Sequence, residues 1–194
     1  MGKVSCISVE WTDKIGNWNK LPVAVGAIDG TSSEIYRPQT DPQELYFSGH
    51  RHFHTIHTKV VVDNAGIICH TQSGFLGHQN DAQQFGMMPQ IGYNAELNFL
   101  QNLLLADKIY PSRYPLVTPY TRRQLNLRPP HIRRKCRKLN RLITHYRVKV
   151  EHAICDIKRY RVISTLWRHP RRKMKKIVEL CGVFVRRRKF LFYQ

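Results

Sequence analysis

The 194-residue sequence predicts a single-domain α/β fold, in which a mixed β-sheet is flanked by helices. Three observations lead to this prediction. Short apolar, β-branched runs separated by turn residues recur through the first 120 residues, as in a sheet. From about Lys138 the apolar residues instead recur every three to four positions, as in an amphipathic helix. The chain shows no internal repeat, and its length suits one sizeable core rather than two.

The first predicted elements are strands. The apolar segment VAVGAID predicts a buried strand around Val23 to Asp29, and the pair Asp29-Gly30 would end it in a turn. The alternative is that Asp29 lies at the mouth of a sheet and holds a metal ion. Two further β-rich runs, 55–62 and 66–73, flank the turn residues Asp63-Asn64-Ala65 and predict a hairpin.

Shorter elements follow the hairpin. Residues 81–88 predict a short helix with Asn80 or Asp81 as its N-cap, because both side chains can accept hydrogen bonds from the first turn. Residues 115–120, which are bounded by prolines, predict a short strand. A basic loop with a Pro-Pro break is predicted for residues 121–137.

The last third of the chain predicts helices. A long amphipathic helix is predicted from about Lys138 to Arg159. Its apolar stripe consists of Leu139, Leu142, Ile143, Tyr146, Val150, Ala153, Ile154 and Ile157. The segment 176–190 is expected to begin as a helix, with an uncertain end.

The charge of the chain is strongly asymmetric. Residues 1–120 hold 8 Lys and Arg against 10 Asp and Glu, whereas residues 121–194 hold 24 against 3. A basic block of this kind attracts polyanions, because each phosphate that it neutralises releases condensed counterions. DNA is therefore the expected partner, and nothing favours RNA over it. The alternative is a solvated basic face without a partner, but such a face normally carries interspersed acidic residues.

The remaining composition excludes several other classes of protein. Five scattered cysteines without a C-x-x-C pair argue against a disulfide framework and against a structural zinc site. No membrane association is expected, because no stretch approaches about 20 apolar residues and the N-terminus lacks a secretion signal. The clusters RRKCRK and RRKMKK are typical of import signals, so we expect the nucleus, with the cytoplasm as a second location.

Three carboxylates could meet in the predicted fold. The apolar runs 23–28 and 103–106 each end in an aspartate, so two neighbouring strands would place Asp29 and Asp107 side by side at one sheet edge. Glu151 is the first acidic residue after Arg122 in the basic region. Such oxygen ligands suit Mg²⁺ or Mn²⁺, and two such ions can stabilise the attacking and leaving oxygens of phosphodiester cleavage. The spacing alone does not separate this trio from a chance one.

Four sequence blocks carry a family resemblance. They are VGAIDGTSSEIYRP, YFSGHRHFHTIHTKVVVDNAGIICHTQSGFLGHQNDAQQF, LLADKIYPSRYPLVTPY and LNRLITHYRVKVEHAICDIKRYRVI. In this order they resemble successive blocks of the DDE-type transposase superfamily, and they are most similar to the Harbinger transposase-derived nuclease family. The resemblance covers about residues 11 to 185. It implies a ribonuclease H-like fold, with the two aspartates on the first and fourth strands and the glutamate on a following helix.

The resemblance also implies the functional residues. It assigns catalysis and the binding of two Mg²⁺ or Mn²⁺ ions to Asp29, Asp107 and Glu151, with Asp81 as a possible supporting ligand. Two motifs depart from the family pattern, since Asn80 stands where a histidine is expected, and Ala106 and Ile109 replace small flexible residues beside Asp107. The basic residues expected to contact the DNA backbone are Arg122, Arg123, Arg147 and Lys158.

The resemblance divides the chain into three parts. We expect an N-terminal extension at 1–20, a DDE endonuclease domain at 21–185 and a basic C-terminal tail at 186–194. Relatives carry a helical DNA-recognition region ahead of the core, so a separate DNA-binding partner protein could supply that role here. The leading hypothesis is a metal-dependent DNA endonuclease. The alternative is a catalytically inactive, domesticated DNA-binding or adaptor protein.

Overall fold

The predicted α/β fold is confirmed by the computed structural model, which describes residues 18–89, 91 and 103–192. Most of the predicted N-terminal extension and the last two residues of the predicted tail lie outside these ranges. The elements follow one another as β1 (Ala24–Glu34), α1 (Gln43–Tyr46), β2 (Phe47–Ser48), β3 (Phe53–Val62), β4 (Ile68–Leu76), α2 (Asp81–Gly86), β5 (Leu103–Leu105), β6 (Leu116–Val117), α3 (Arg122–Asn126), α4 (Pro130–Lys158), α5 (Arg161–Ser164) and α6 (Arg171–Phe192).

One mixed sheet of six strands organises the fold. Strand β1 lies at its centre, antiparallel to β3 on one side and parallel to β5 on the other. Strand β4 pairs antiparallel with β3, β6 pairs parallel with β5, and the two-residue β2 pairs with the start of β3. This arrangement, with helices on both faces, is ribonuclease H-like.

The two faces of the sheet bury separate apolar clusters. On the face that we call the α4 face, α4 packs against β1 and β3, and α6 packs against β4. Its cluster includes Ala27, Val60, Ile143, Val150 and Val178. The opposite face, which we call the α2 face, is covered by α2 and the segment after β5. Its cluster includes Val25, Ile28, Val61, Phe85 and Tyr110.

The predicted hairpin and short helix are both confirmed. Strands β3 and β4 form the hairpin, and its turn is completed by Gly66, whose φ of 75° lies in the left-handed region that suits glycine. Asn80 caps α2, because its side chain accepts a hydrogen bond from the Gln83 amide while the Gln83 side chain accepts one from the Asn80 amide.

The predicted turn at Asp29-Gly30 is wrong. Strand β1 continues to Glu34, and Asp29 pairs with Val60 in the middle of the ladder. The apolar run ends at Ile28, but the strand does not, because the following polar residues still find backbone partners along β3. The sequence indicated an end at Asp29 because the second half of the strand is polar.

The predicted basic loop over 121–137 is also wrong. Thr121 caps the short helix α3 through a reciprocal hydrogen-bond pair with Gln124, and α4 begins at Pro130. Proline is well suited to the first helical turn, since its missing N–H would have no intrahelical partner there. The Pro-Pro pair thus marks the start of α4 rather than a break, and α4 is 29 residues long.

The segment after 176 is helical throughout its described length. Helix α6 begins at Arg171 and ends at Phe192, so residues 186–192 of the predicted tail belong to a helix. Among the described residues, no helix combines the length and apolar character needed to cross a membrane.

Candidate active site

The two predicted aspartates meet at one edge of the sheet. Strands β1 and β5 run parallel, and Ala27 of β1 lies opposite Leu105 of β5. Asp29 and Asp107 each lie two residues further along, so they are level with each other where β5 ends. The structure therefore places the two side chains next to each other at this edge.

A single arginine from helix α4 joins the two carboxylates. One terminal nitrogen of Arg147 lies 2.9 Å from Oδ2 of Asp29, and the other lies 3.5 Å from Oδ1 of Asp107. Arg147 is only 8% exposed, whereas both aspartates reach solvent. Its planar guanidinium presents donors in two directions, which lets one cation hold two carboxylates.

The surroundings of the Asp29 carboxylate have opposing effects on its pKa. Burial raises its pKa, while the charge of Arg147 and the hydrogen bond from the Gly30 amide, at 2.8 Å, oppose that rise. Because water solvates this carboxylate incompletely, a nearby cation stabilises its charged form. Its second oxygen is already committed to Arg147.

Glu151 is placed differently from the two aspartates. It lies on α4 one helical turn after Arg147, and its side chain is exposed. In the described part of the chain, no group of three His, Cys, Asp or Glu side chains is close enough to hold a metal ion. The structure thus brings together two of the three predicted ligands.

Asp81 belongs to a second charged network, which the sequence did not reveal. It forms an ion pair with Lys59, and the Lys59 ammonium also donates to the Tyr110 hydroxyl at 2.7 Å. The Lys59 side chain is completely buried on the α2 face, and burial lowers its pKa while Asp81 opposes that change. The only signal in the sequence was a lysine inside the apolar run KVVV.

Gly30 makes room for this second network. A Cβ atom at position 30 would lie 2.8 Å from Nζ of Lys59 and 3.0 Å from Oδ1 of Asp81. The Lys59 ammonium therefore lies in space that any side chain at position 30 would occupy. Neighbouring residues of β1 thus serve two networks, Asp29 on the α4 face and Gly30 on the α2 face.

The four predicted DNA-backbone contacts have different environments. Arg122 and Arg123 are exposed on α3, and Lys158 is half-buried with its ammonium donating to the Ser32 carbonyl at 3.2 Å. Arg147 lies between the Asp29 and Asp107 carboxylates, so its guanidinium binds protein oxygens in this structure.

The carboxylate pair fits a divalent cation by its donor chemistry. Its ligands are hard oxygens, which Mg²⁺ and Mn²⁺ prefer. The guanidinium of Arg147 occupies the position between the two carboxylates that a metal ion would take. Its single positive charge balances only one of the two negative charges. A metal ion would compete with Arg147 for the same oxygens.

Comparison with protein families gave one match. Residues 28–186 match the family model described as DDE superfamily endonuclease. This range contains both aspartates, Arg147 and Glu151. No curated protein and no solved structure matched the chain.

Proposed function

Because the chain belongs to the family of DDE superfamily endonucleases, we propose that it is a divalent-metal-dependent endonuclease core that hydrolyses DNA phosphodiester bonds and derives from a Harbinger-type transposase. One observation carries the proposal. Asp29 and Asp107, 78 residues apart in the chain, converge on one buried cation with an excess of negative charge. A purely structural ion pair would need only one carboxylate.

In this proposal Asp29, Asp107 and Glu151 hold Mg²⁺ or Mn²⁺. The bound metal ions supply positive charge to the attacking and leaving oxygens of an in-line displacement at phosphorus. Glu151 would have to approach the two aspartates, and its exposed position one turn beyond Arg147 leaves its carboxylate accessible.

Arg147 has two roles in the proposed cycle. Before metal binding it holds the two carboxylates close together and offsets their mutual repulsion. Once released from them, its guanidinium is a bidentate donor that suits the oxygens of a phosphate group. The buried Nε of Arg147 has no hydrogen-bond acceptor among the described residues, so its present environment satisfies it incompletely.

The basic surface would hold the substrate. Arg122, Arg123 and Lys158 are proposed to contact the DNA backbone. Target recognition would come from a separate DNA-binding partner protein, and the basic clusters would direct the protein to the nucleus.

The test is a plasmid-nicking assay with Mg²⁺ or Mn²⁺. We expect wild-type protein to nick, and Asp29→Asn and Asp107→Asn to lose about 100-fold or more, because each removes a ligand charge worth several kcal/mol in the transition state. Asp156→Asn is the matched control, since Asp156 lies on α4 outside the carboxylate pair and its carboxylate pairs with Arg188 at 3.0 Å. Equal nicking by wild type and Asp29→Asn would refute the nuclease proposal.

Glu151→Gln tests the third ligand separately. Loss of nicking comparable to that of Asp29→Asn would support its assignment. Full activity of Glu151→Gln would remove Glu151 from the site and leave the two aspartates as the protein ligands.

A second candidate function is a catalytically inactive DNA-binding or adaptor protein. The occupation of both aspartates by Arg147 favours it, as does the altered ADKIYP segment, where Ile109 is 62% exposed. Metal-independent DNA binding by the wild type without any nicking would establish this function instead.

A further inference from the structure

A second basic region lies at the far end of β1. Residues 36–46 and 167–175 surround a cavity of about 940 Å³, which we call the α6 groove because α6 begins in it. Its lining holds five Lys or Arg side chains against a single aspartate, a net charge of +4. These residues take no part in the carboxylate site.

The cations of the α6 groove are only partly neutralised. Arg171 forms an ion pair with Asp41, and its guanidinium lies 4.9 Å from the centre of the Tyr46 ring. Arg168, Arg172 and Lys175 are exposed. Within the described ranges, neither Arg168 nor Arg172 has an ion-pair partner. An anionic ligand would therefore complete the charge balance of the groove.

Aromatic side chains line the same groove. Tyr36 is 60% exposed, which is unusual for so large a ring, whereas Trp167 is buried at 3%. The backbone between them is fixed, because the Tyr36 amide donates to the Trp167 carbonyl at 3.1 Å and the Trp167 amide donates to the Glu34 carbonyl at 2.9 Å. Tyr36 is thus an exposed ring on a rigid support.

We propose that the α6 groove binds single-stranded DNA, with phosphates on Arg168, Arg172 and Lys175 and a base stacked on Tyr36. Exposed aromatic rings beside backbone-binding cations are the combination that holds unpaired nucleic-acid strands. Duplex DNA would satisfy the cations but not the ring, because its bases already stack on one another. An acidic peptide would likewise leave Tyr36 unused.

The position of the groove relates it to the carboxylates. Tyr36 follows Asp29 by seven residues of extended chain, which corresponds to about 23 Å at about 3.3 Å per residue. The groove would therefore hold an unpaired part of the strand several nucleotides away from the site of cleavage. The inference rests on the proposed function only in taking DNA as the substrate.

The test measures binding without catalysis. The 194-residue chain is titrated in EDTA into a fluorescently labelled oligodeoxythymidine of about 12 nucleotides, a length within the usual range of single-strand sites. We expect Tyr36→Ala to weaken binding by about 5-fold to 100-fold, as loss of base stacking does, and Tyr36→Phe to retain it. The double variant Arg168→Ala/Arg172→Ala should reduce the slope of log K against log salt by about 1.4.

Charge-matched controls decide between the groove and general basicity. The pair Arg134→Ala/Arg141→Ala removes two exposed cations of α4 and should change neither the affinity for the oligonucleotide nor the salt slope. Equal effects of the two pairs would overturn the proposal, as would wild-type affinity of folded Tyr36→Ala. Complete competition by unlabelled duplex or by poly-glutamate at equal charge would overturn it as well.

The outcome is independent of nuclease activity. Binding is measured in EDTA, in which the proposed metal-dependent nuclease is inactive, so the affinity for the oligonucleotide does not depend on cleavage. A protein that nicks DNA but shows no effect of Tyr36→Ala would keep the proposed function and lose this inference. Melting temperatures of all variants establish that they remain folded.

Discussion

Two charged networks lie on opposite faces of the sheet at strand β1. In each of them a buried cation contacts one or two partly exposed carboxylates. On the α4 face the cation is Arg147, and its side chain is 10% exposed against 25% for Asp29 and 31% for Asp107. On the α2 face the cation is Lys59, and its side chain is 0% exposed against 31% for Asp81. The geometry is similar, but the charge balance is not.

The difference lies in the number of carboxylates. Lys59 and Asp81 form a neutral pair, and the Tyr110 hydroxyl satisfies a further hydrogen bond of the ammonium. Arg147 faces two carboxylates, so its network has a net charge of −1. A neutral buried network offers a metal ion little, whereas an anionic one at a solvent-exposed edge attracts it. If the proposed function is correct, metal binding is expected on the α4 face and a structural role on the α2 face.

The largest expected effect separates the two networks by activity. Asp81→Asn should keep nicking within about fivefold of wild type, against the loss of about 100-fold or more expected for Asp29→Asn. The reason is that Asp81 is committed to Lys59 on the other face of the sheet. Initial nicking rates under identical Mg²⁺ conditions measure both variants. An equal loss in the two would show that the networks act as one site.

The second prediction concerns the free energy of unfolding. Lys59→Met should reduce it by about 2 to 3 kcal/mol, because Asp81 and Tyr110 lose their shared partner. The loss stays below that of a fully buried pair, since Asp81 still reaches water. Urea denaturation measures it.

A matched lysine and a double variant sharpen this measurement. Lys149 is half-buried and donates to the Asn64 carbonyl, so Lys149→Met should cost under about 1 kcal/mol. Combining Lys59→Met with Asp81→Asn should cost less than the sum of the single changes. Strict additivity would contradict a coupled pair.

The third prediction tests competition between Arg147 and metal. Without metal, Arg147→Met should lower the free energy of unfolding by about 1 to 2 kcal/mol, because two neighbouring carboxylates lose their shared cation. Mn²⁺ should then raise the melting temperature of this variant more than that of the wild type, since ligand binding stabilises the folded state. Differential scanning fluorimetry across a Mn²⁺ series measures the shift.

Arg188→Met is the control for this competition. Arg188 pairs with a single carboxylate, that of Asp156, so removing it creates no anionic pair. Mn²⁺ should stabilise this variant no more than the wild type. A larger shift in Arg188→Met than in Arg147→Met would place the metal away from Asp29 and Asp107.

The sequence predicted the parts of the site that depend on local pattern. The apolar runs before Asp29 and Asp107 are those of buried neighbouring strands, so their ends meet at one edge. The apolar stripe from Leu139 to Ile157 identified the helix that carries Arg147 and Glu151. These predictions succeeded because the spacing of apolar residues along a short segment indicates whether it forms a strand or a helix.

The sequence could not predict the pairings that depend on packing. Asp29 and Arg147 are 118 residues apart, and the contact exists only because α4 packs across β1. Arg147 was predicted to contact DNA, which remains a prediction, but nothing in its neighbours indicated that two carboxylates would surround it. Lys59 looked like an ordinary strand residue, since burial of a charge depends on partners that the sequence does not place beside it.

The smallest expected effect concerns the glycine between the two networks. Gly30→Ala should reduce the free energy of unfolding by about 1 kcal/mol, because the new methyl group would lie 2.8 Å from the Lys59 ammonium and this end of the side chain must shift. Gly30 and Gly49 line one cavity of about 400 Å³, and Gly49 has open space around it, so Gly49→Ala should stay within about 0.5 kcal/mol of wild type. Urea denaturation of both variants measures the difference. Equal stabilities would mean that Lys59 moves aside without cost, which would contradict this prediction. Nicking by Gly30→Ala should stay within about fivefold of wild type, since the methyl group points away from Asp29 and Arg147.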